Sequence, residues 1–126
     1  MKNVRNLLVV LLTLTTLAAC KKDKQNSFIV EGSWEGKIGN GVVTPTGQLA
    51  LNLLPQGQLE RINSSGNIAG TGTWTLSGDT FNASYTLNSG TVVILSGTLD
   101  KGQSRISGNW SNDGDETGTW FVTKEQ

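Results

Sequence analysis

Ile68-Ala69-Gly70-Thr71-Gly72-Thr73-Trp74-Thr75-Leu76, then Ser77-Gly78-Asp79, then Phe81-Asn82-Ala83-Ser84-Tyr85-Thr86-Leu87 reads as strand, turn, strand. Ile68, Gly70, Gly72, Trp74 and Leu76 alternate with Ala69, Thr71, Thr73 and Thr75. Phe81, Ala83, Tyr85 and Leu87 continue the same period of two, which puts one face in a core and the other in water. The same alternation runs through Phe28, Val30, Gly32, Trp34, Gly36 and Ile38, against Glu31, Ser33, Glu35 and Lys37, with Ile29 the exception. A first strand is therefore expected from Phe28. Gly and Thr are abundant and no apolar stripe of helical period occurs, so helices are not expected. Turn chemistry recurs at Gly39-Asn40-Gly41, Pro55-Gln56-Gly57, residues 64–67, Ser77-Gly78-Asp79, Asn88-Ser89-Gly90, residues 100–103 and residues 112–115. Gly supplies positive φ, and Asn and Asp build side-chain turns. Seven turns delimit eight short antiparallel strands, a meander. The weakest strand is residues 58–63, where Leu59 and Ile62 fall on opposite faces and a bulge near Arg61 would reconcile them.

Eight strands either close on themselves or stack as two sheets. Closure removes exposed edges, so the expected fold is all-β, an eight-stranded antiparallel up-and-down barrel following an N-terminal signal segment. An even strand count sends both chain ends to one rim. Every Trp follows a Gly by two positions: Gly32-Ser33-Trp34, Gly72-Thr73-Trp74, Gly108-Asn109-Trp110 and Gly118-Thr119-Trp120. Gly97-Thr98-Leu99 looks like the same unit without the ring. Positions two apart share a face, so each indole points inward beside a residue without a side chain, which leaves room for a neighbouring ring. If the eighth strand closes on the first, Trp34 and Trp120 become neighbours, Trp110 lies one strand further, and Trp74 faces them across the interior.

The chain begins differently. Residues 1–6 carry Lys2 and Arg5 without an acid, and residues 7–17 are an apolar run too short to span a bilayer comfortably. Residues 1–19 read as an export signal. Leu17-Ala18-Ala19-Cys20 resembles the lipobox of bacterial lipoproteins, which implies diacylglycerol on Cys20 and a mature chain starting there. Residues 20–27 then form a polar tether and residues 28–124 the barrel domain. Two or three acyl chains hold a protein stably on a membrane where a single chain is marginal. The implied location is the bacterial cell envelope, as an outer-membrane lipoprotein, with the periplasmic or surface face left open.

The first-strand Gly32-Ser33-Trp34 and the following Gly-Thr-Trp and Gly-Thr-Leu strands resemble the calycin group, which includes lipocalins, fatty-acid-binding proteins and avidins. The resemblance implies a small barrel holding a ligand inside. Lipocalins usually add an Arg near the last strand that packs on the first-strand Trp, and only Lys124 stands near that place here. Bacterial β-barrel hydrolase inhibitors are similar in architecture, and many carry a disulfide that a chain with 1 Cys cannot form.

Without His, a Ser-His-Asp triad, a His metal site and a His general base are excluded, and the lone Cys is taken by lipid. Removing Lys2 and Arg5 leaves 8 basic against 10 acidic residues, which offers nothing to nucleic acid. Glu31 and Glu35 share a solvent face, unlike a glycosidase pair in its cleft. Asn112-Asp113-Gly114-Asp115-Glu116 lacks the spacing of a calcium loop and reads as a polar hairpin turn. No metal, cofactor or enzymatic activity is expected. Two functions remain. One is a non-enzymatic module that binds a small apolar or amphipathic ligand against Trp34, Trp74, Tyr85, Trp110 or Trp120. The other is a packed barrel that binds an envelope protein, such as a hydrolase, through the loops at residues 39–45, 64–67 and 112–116. A void of about 300 Å³ or more inside the barrel favours the first. Radioactive fatty acid supplied to a bacterial host should label the wild-type chain and leave Cys20→Ala unlabelled. Label retained by the variant would remove the lipid anchor from the argument.

Overall fold

The computed structural model describes residues 28–125; the expected signal segment, Cys20 and the expected tether lie outside the described residues. Eight strands follow one another: β1 (Gly32–Asn40), β2 (Gly47–Leu54), β3 (Gln58–Ile62), β4 (Ile68–Ser77), β5 (Thr80–Leu87), β6 (Val92–Asp100), β7 (Arg105–Asn112) and β8 (Thr117–Lys124). Each pairs antiparallel with the next, and β8 pairs with β1 to close an up-and-down barrel. All seven expected turns join these strands. In the first of them Gly39 and Asn40 still belong to β1, and the loop proper is residues 41–46.

Period two does what the sequence implies. Leu49, Leu51 and Leu53 of β2 stand opposite Gly36, Trp34 and Gly32 of β1, and all three leucines are buried. Phe81, Ala83 and Tyr85 of β5 meet Gly97, Leu95 and Val93 of β6 on the same inner face. The register shifts between Arg61 and Ile62, the bulge that the opposed faces of Leu59 and Ile62 call for. Two turns share one device. The Asn63 side-chain oxygen accepts from the amides of Ser65 and Asn67 at 2.9 and 3.0 Å. Asn112 does the same for Gly114 and Glu116 at 2.9 and 3.0 Å. In each case an Asn closes the hairpin by standing in for a backbone carbonyl.

The first strand begins later than its alternation implied. Residues 28–31 are not strand, because Gly32 takes φ +138° and other bonds hold the preceding segment. The Trp34 indole donates to the Val30 carbonyl at 2.9 Å, and the Lys124 ammonium donates to the Ile29 carbonyl. Val30 is buried and Phe28 packs on the core, so this segment covers one end of the barrel. The two ends of the described segment meet there, with the Glu125 amide bonded to the Ser33 carbonyl at 2.9 Å.

The Trp arrangement also departs from expectation. β1 and β8 are neighbours, but Trp34 stands opposite Lys124 and Trp120 opposite Ile38, so the two indoles lie at different levels. The stagger of strands in a closed barrel sets this offset. Trp74 and Trp120 do face one another across the interior through Phe81, at centroid distances of 6.5 and 5.9 Å.

The glycines serve two purposes. At Gly118 and Gly97 an added Cβ would meet the carbonyl oxygens of Gly39 and Ser107 first and the rings of Trp110 and Trp120 next, so the expected room for a neighbouring ring comes together with room for backbone. At Gly72 and Gly108 it would overlap the carbonyl oxygens of Ser84 and Ser96. There the demand comes from neighbouring backbone, which cannot give way as a side chain can. Gly72→Ala and Gly108→Ala should each cost about 3 kcal/mol or more. Gly102→Ala, whose Cβ would meet only Asp100 Oδ1 at 3.4 Å, should stay within about 0.5 kcal/mol of wild type. Urea unfolding followed by Trp fluorescence measures the three directly.

Candidate functional site

Antiparallel neighbours give the barrel two unlike poles. At the closed pole, where the chain enters, Trp34, Phe81 and Trp120 are fully buried with Leu53, Leu59, Leu95 and Ile106. The bore there is filled. Each indole N–H is satisfied by backbone: Trp34 by Val30, Trp74 by Leu54 at 3.0 Å, Trp110 by Gly39 at 2.8 Å and Trp120 by Asn109 at 2.9 Å. These bonds let large rings pack without an unpaired donor.

The opposite pole is open. A recess of about 320 Å³ lies inside the ring, walled by Ile38, Leu87, Val93 and Trp110, with Arg61, Tyr85, Asn112 and Glu116 as its polar groups. The structure thus brings two of the five expected contact residues, Tyr85 and Trp110, to one recess. It leaves Trp34 and Trp120 in the filled core and Trp74 half-buried beside Phe81. A depression of about 440 Å³ also exists, but it lies on the outer wall between Val42 of the β1–β2 loop and the outward faces of Ile94, Ser96 and Asn109.

Arg61 gives the recess its chemistry. It stands opposite Leu51 on β2 and Gly70 on β4, both on the inner face, so the guanidinium points into the ring. Its terminal nitrogens donate to the carbonyls of Ile62 at 2.6 Å and Gln48 at 2.9 Å. Its Nε is buried and has no hydrogen-bond partner among the described residues. Tyr85, buried on β5, is the second polar group. Burial pushes its phenol above the ordinary range, and the charge and hydrogen-bonding reach of Arg61 pull it back. At neutral pH it is therefore a hydroxyl donor. Glu116, at the lip, takes the Asn112 amide at 2.9 Å.

The sequence does not mark Arg61 as a site residue. Arg61 lies two positions from Leu59, but with Leu59 and Ile62 on opposite faces only the bulge between Arg61 and Ile62 fixes which way Arg61 points. Glu31 and Glu35 are exposed, as expected. In residues 112–116 the Asn112 oxygen is committed to turn amides, and among the described residues no cluster of three acidic, Cys or His side chains could hold a metal ion. No helix among the described residues is long and apolar enough to cross a membrane.

No protein-family model, no curated protein and no solved structure matches this chain.

Tyr85 is the single Tyr of the chain, so tyrosinate absorbance reports it alone. Its pKa should lie above that of free tyrosine and rise further in Arg61→Met, because a lowering influence is removed. A pKa raised on folding contributes stability that is full below the ordinary phenol value and is lost as pH rises through the folded value. Alkaline unfolding should therefore track that absorbance change.

Proposed function

We propose that this protein is a non-enzymatic binding module, anchored to a membrane of the bacterial envelope by lipid on Cys20, whose open pole takes a small apolar or amphipathic ligand. The observation that carries the reading is the division of the bore: one half is filled by aromatic and aliphatic side chains, while the other keeps a recess of about 320 Å³ with both apolar wall and polar groups. Ligand sites have this composition, mostly apolar with a few convergent polar groups. The absence of His supports binding without turnover. The calycin-like pattern of Gly-x-Trp strands agrees with an interior ligand. The described chain begins at the closed pole, at the opposite end of the barrel from the mouth of the recess.

A second reading has an observation of its own. The loops at residues 41–46, 63–67 and 113–116 all sit at the open pole, and Val42 and Val43 in the first are exposed. On this reading the rim grips an envelope protein, a hydrolase being one candidate.

Titration of intrinsic Trp fluorescence with fatty acids and aromatic probes separates the two. The ligand reading expects a saturable change that is mostly lost in Trp110→Phe, because the other three indoles lie outside the recess. Silence across the whole panel, together with capture of an envelope protein that disappears when the three loops are replaced, would replace it with the second.

A further inference from the structure

We propose that the recess selects a small organic carboxylate, with its acid group at the guanidinium of Arg61 and the hydroxyl of Tyr85 and its apolar body against Ile38, Val93 and Trp110. This inference rests on the ligand reading above and narrows it to one chemical class.

The starting point is an unpaired charge-bearing donor. Arg61 enters the interior between Leu51 and Gly70, its register partners on the two flanking strands. Its terminal nitrogens are held by two backbone carbonyls, which fix the plane of the guanidinium and leave its charge uncompensated. Nε, on the remaining edge, is buried without an acceptor among the described residues. Buried donors left unpaired are costly, more so on an ion, and native proteins satisfy nearly all of them. Among the described residues no carboxylate forms an ion pair with Arg61. Glu60 accepts from Asn52 at 3.2 Å, and Glu116 accepts from Asn112 at the exposed lip. The missing counter-charge is therefore one that a ligand would bring.

Three constraints define that ligand. The first is charge. Arg61 is the one cation lining the recess and Glu116 stands exposed at its lip, so a monoanion is neutralised inside, whereas a dianion such as phosphate would carry a second, unpaired charge out of water. The second is geometry. Tyr85 is buried on the inner face of β5, lines the same recess as Arg61, and offers a hydroxyl that remains protonated at neutral pH. An Arg N–H and a phenol O–H together suit the two oxygens of a carboxylate. The third is size. About 320 Å³ is near the lower limit of about 300 Å³ for ligand pockets, and Trp34, Phe81 and Trp120 fill the bore beyond. A ring with a short linker fits, and a long alkyl chain has no channel to follow.

The test compares 4-phenylbutyrate, its neutral amide and palmitate on the full chain by calorimetry, with Trp fluorescence in parallel. The acid should bind at least about tenfold more tightly than the amide, the scale of one buried charge-assisted hydrogen bond. Palmitate should bind no better than phenylbutyrate. In Arg61→Met the acid's advantage should fall to about twofold or less while the amide's affinity is kept. Tyr85→Phe should reduce the advantage several-fold, and it decides the matter if Arg61→Met does not fold: an unchanged advantage overturns the proposal. Equal binding of acid and amide also overturns it, yet leaves the recess as a ligand site. Tighter binding of palmitate overturns the size argument and the proposal with it. No binding of these probes or of any compound in the wider panel overturns both this inference and the ligand reading beneath it.

Discussion

Eight strands closed into a ring enclose a space barely wide enough for side chains, and the rest of the protein depends on how that space is shared. Strand neighbours approach so closely at Gly72 and Gly108 that no Cβ fits between them and the next backbone. The closeness draws the walls in, and the large rings can then span the interior. Trp74, Phe81 and Trp120 cross it in contact with one another. Without the glycines the walls could not come so near, and without the rings the narrow bore would be left with voids.

Much of this was legible in the residues. The strict alternation of residues 68–76 and 81–87 names an inner face without ambiguity, and the turn chemistry at residues 63–67 and 112–116 rests on Asn side chains whose role in hairpins is local. What was not legible depends on stagger. Trp34 meets Lys124 and not Trp120, because the offset between β1 and β8 is a property of the whole closed ring and is written in neither strand. β1 starts later than its alternation implies for a related reason. Phe28 and Val30 carry the right period, but Lys124 and Trp34, distant or downstream in sequence, bind the carbonyls of Ile29 and Val30 and turn that segment across the barrel end.

The candidate site was half legible. Tyr85 and Trp110 could be expected inside from period two alone. Arg61 could not be separated from an ordinary surface charge until the bulge between Arg61 and Ile62 fixed which face each takes. A cation on an inner wall conflicts with local preference, and such conflicts concentrate where a protein does something besides fold. The two poles divide accordingly: the aromatic layers hold the ring together, and the open end accepts a polar group that the core would reject.

The clasp between residues 29–33 and 124–125 at the closed pole gives the barrel a mechanical axis. Ladder bonds between antiparallel strands run perpendicular to the strands. A pull on residue 28, resisted at the far rim, therefore drags β1 lengthwise against β2 on one side and β8 on the other, loading both ladders at once. A pull on residues 28 and 125 together meets a different resistance, because those ends sit side by side and the β1–β8 seam opens one bond at a time from the Glu125–Ser33 end. The fold is stiff along its own axis and weak across that single seam.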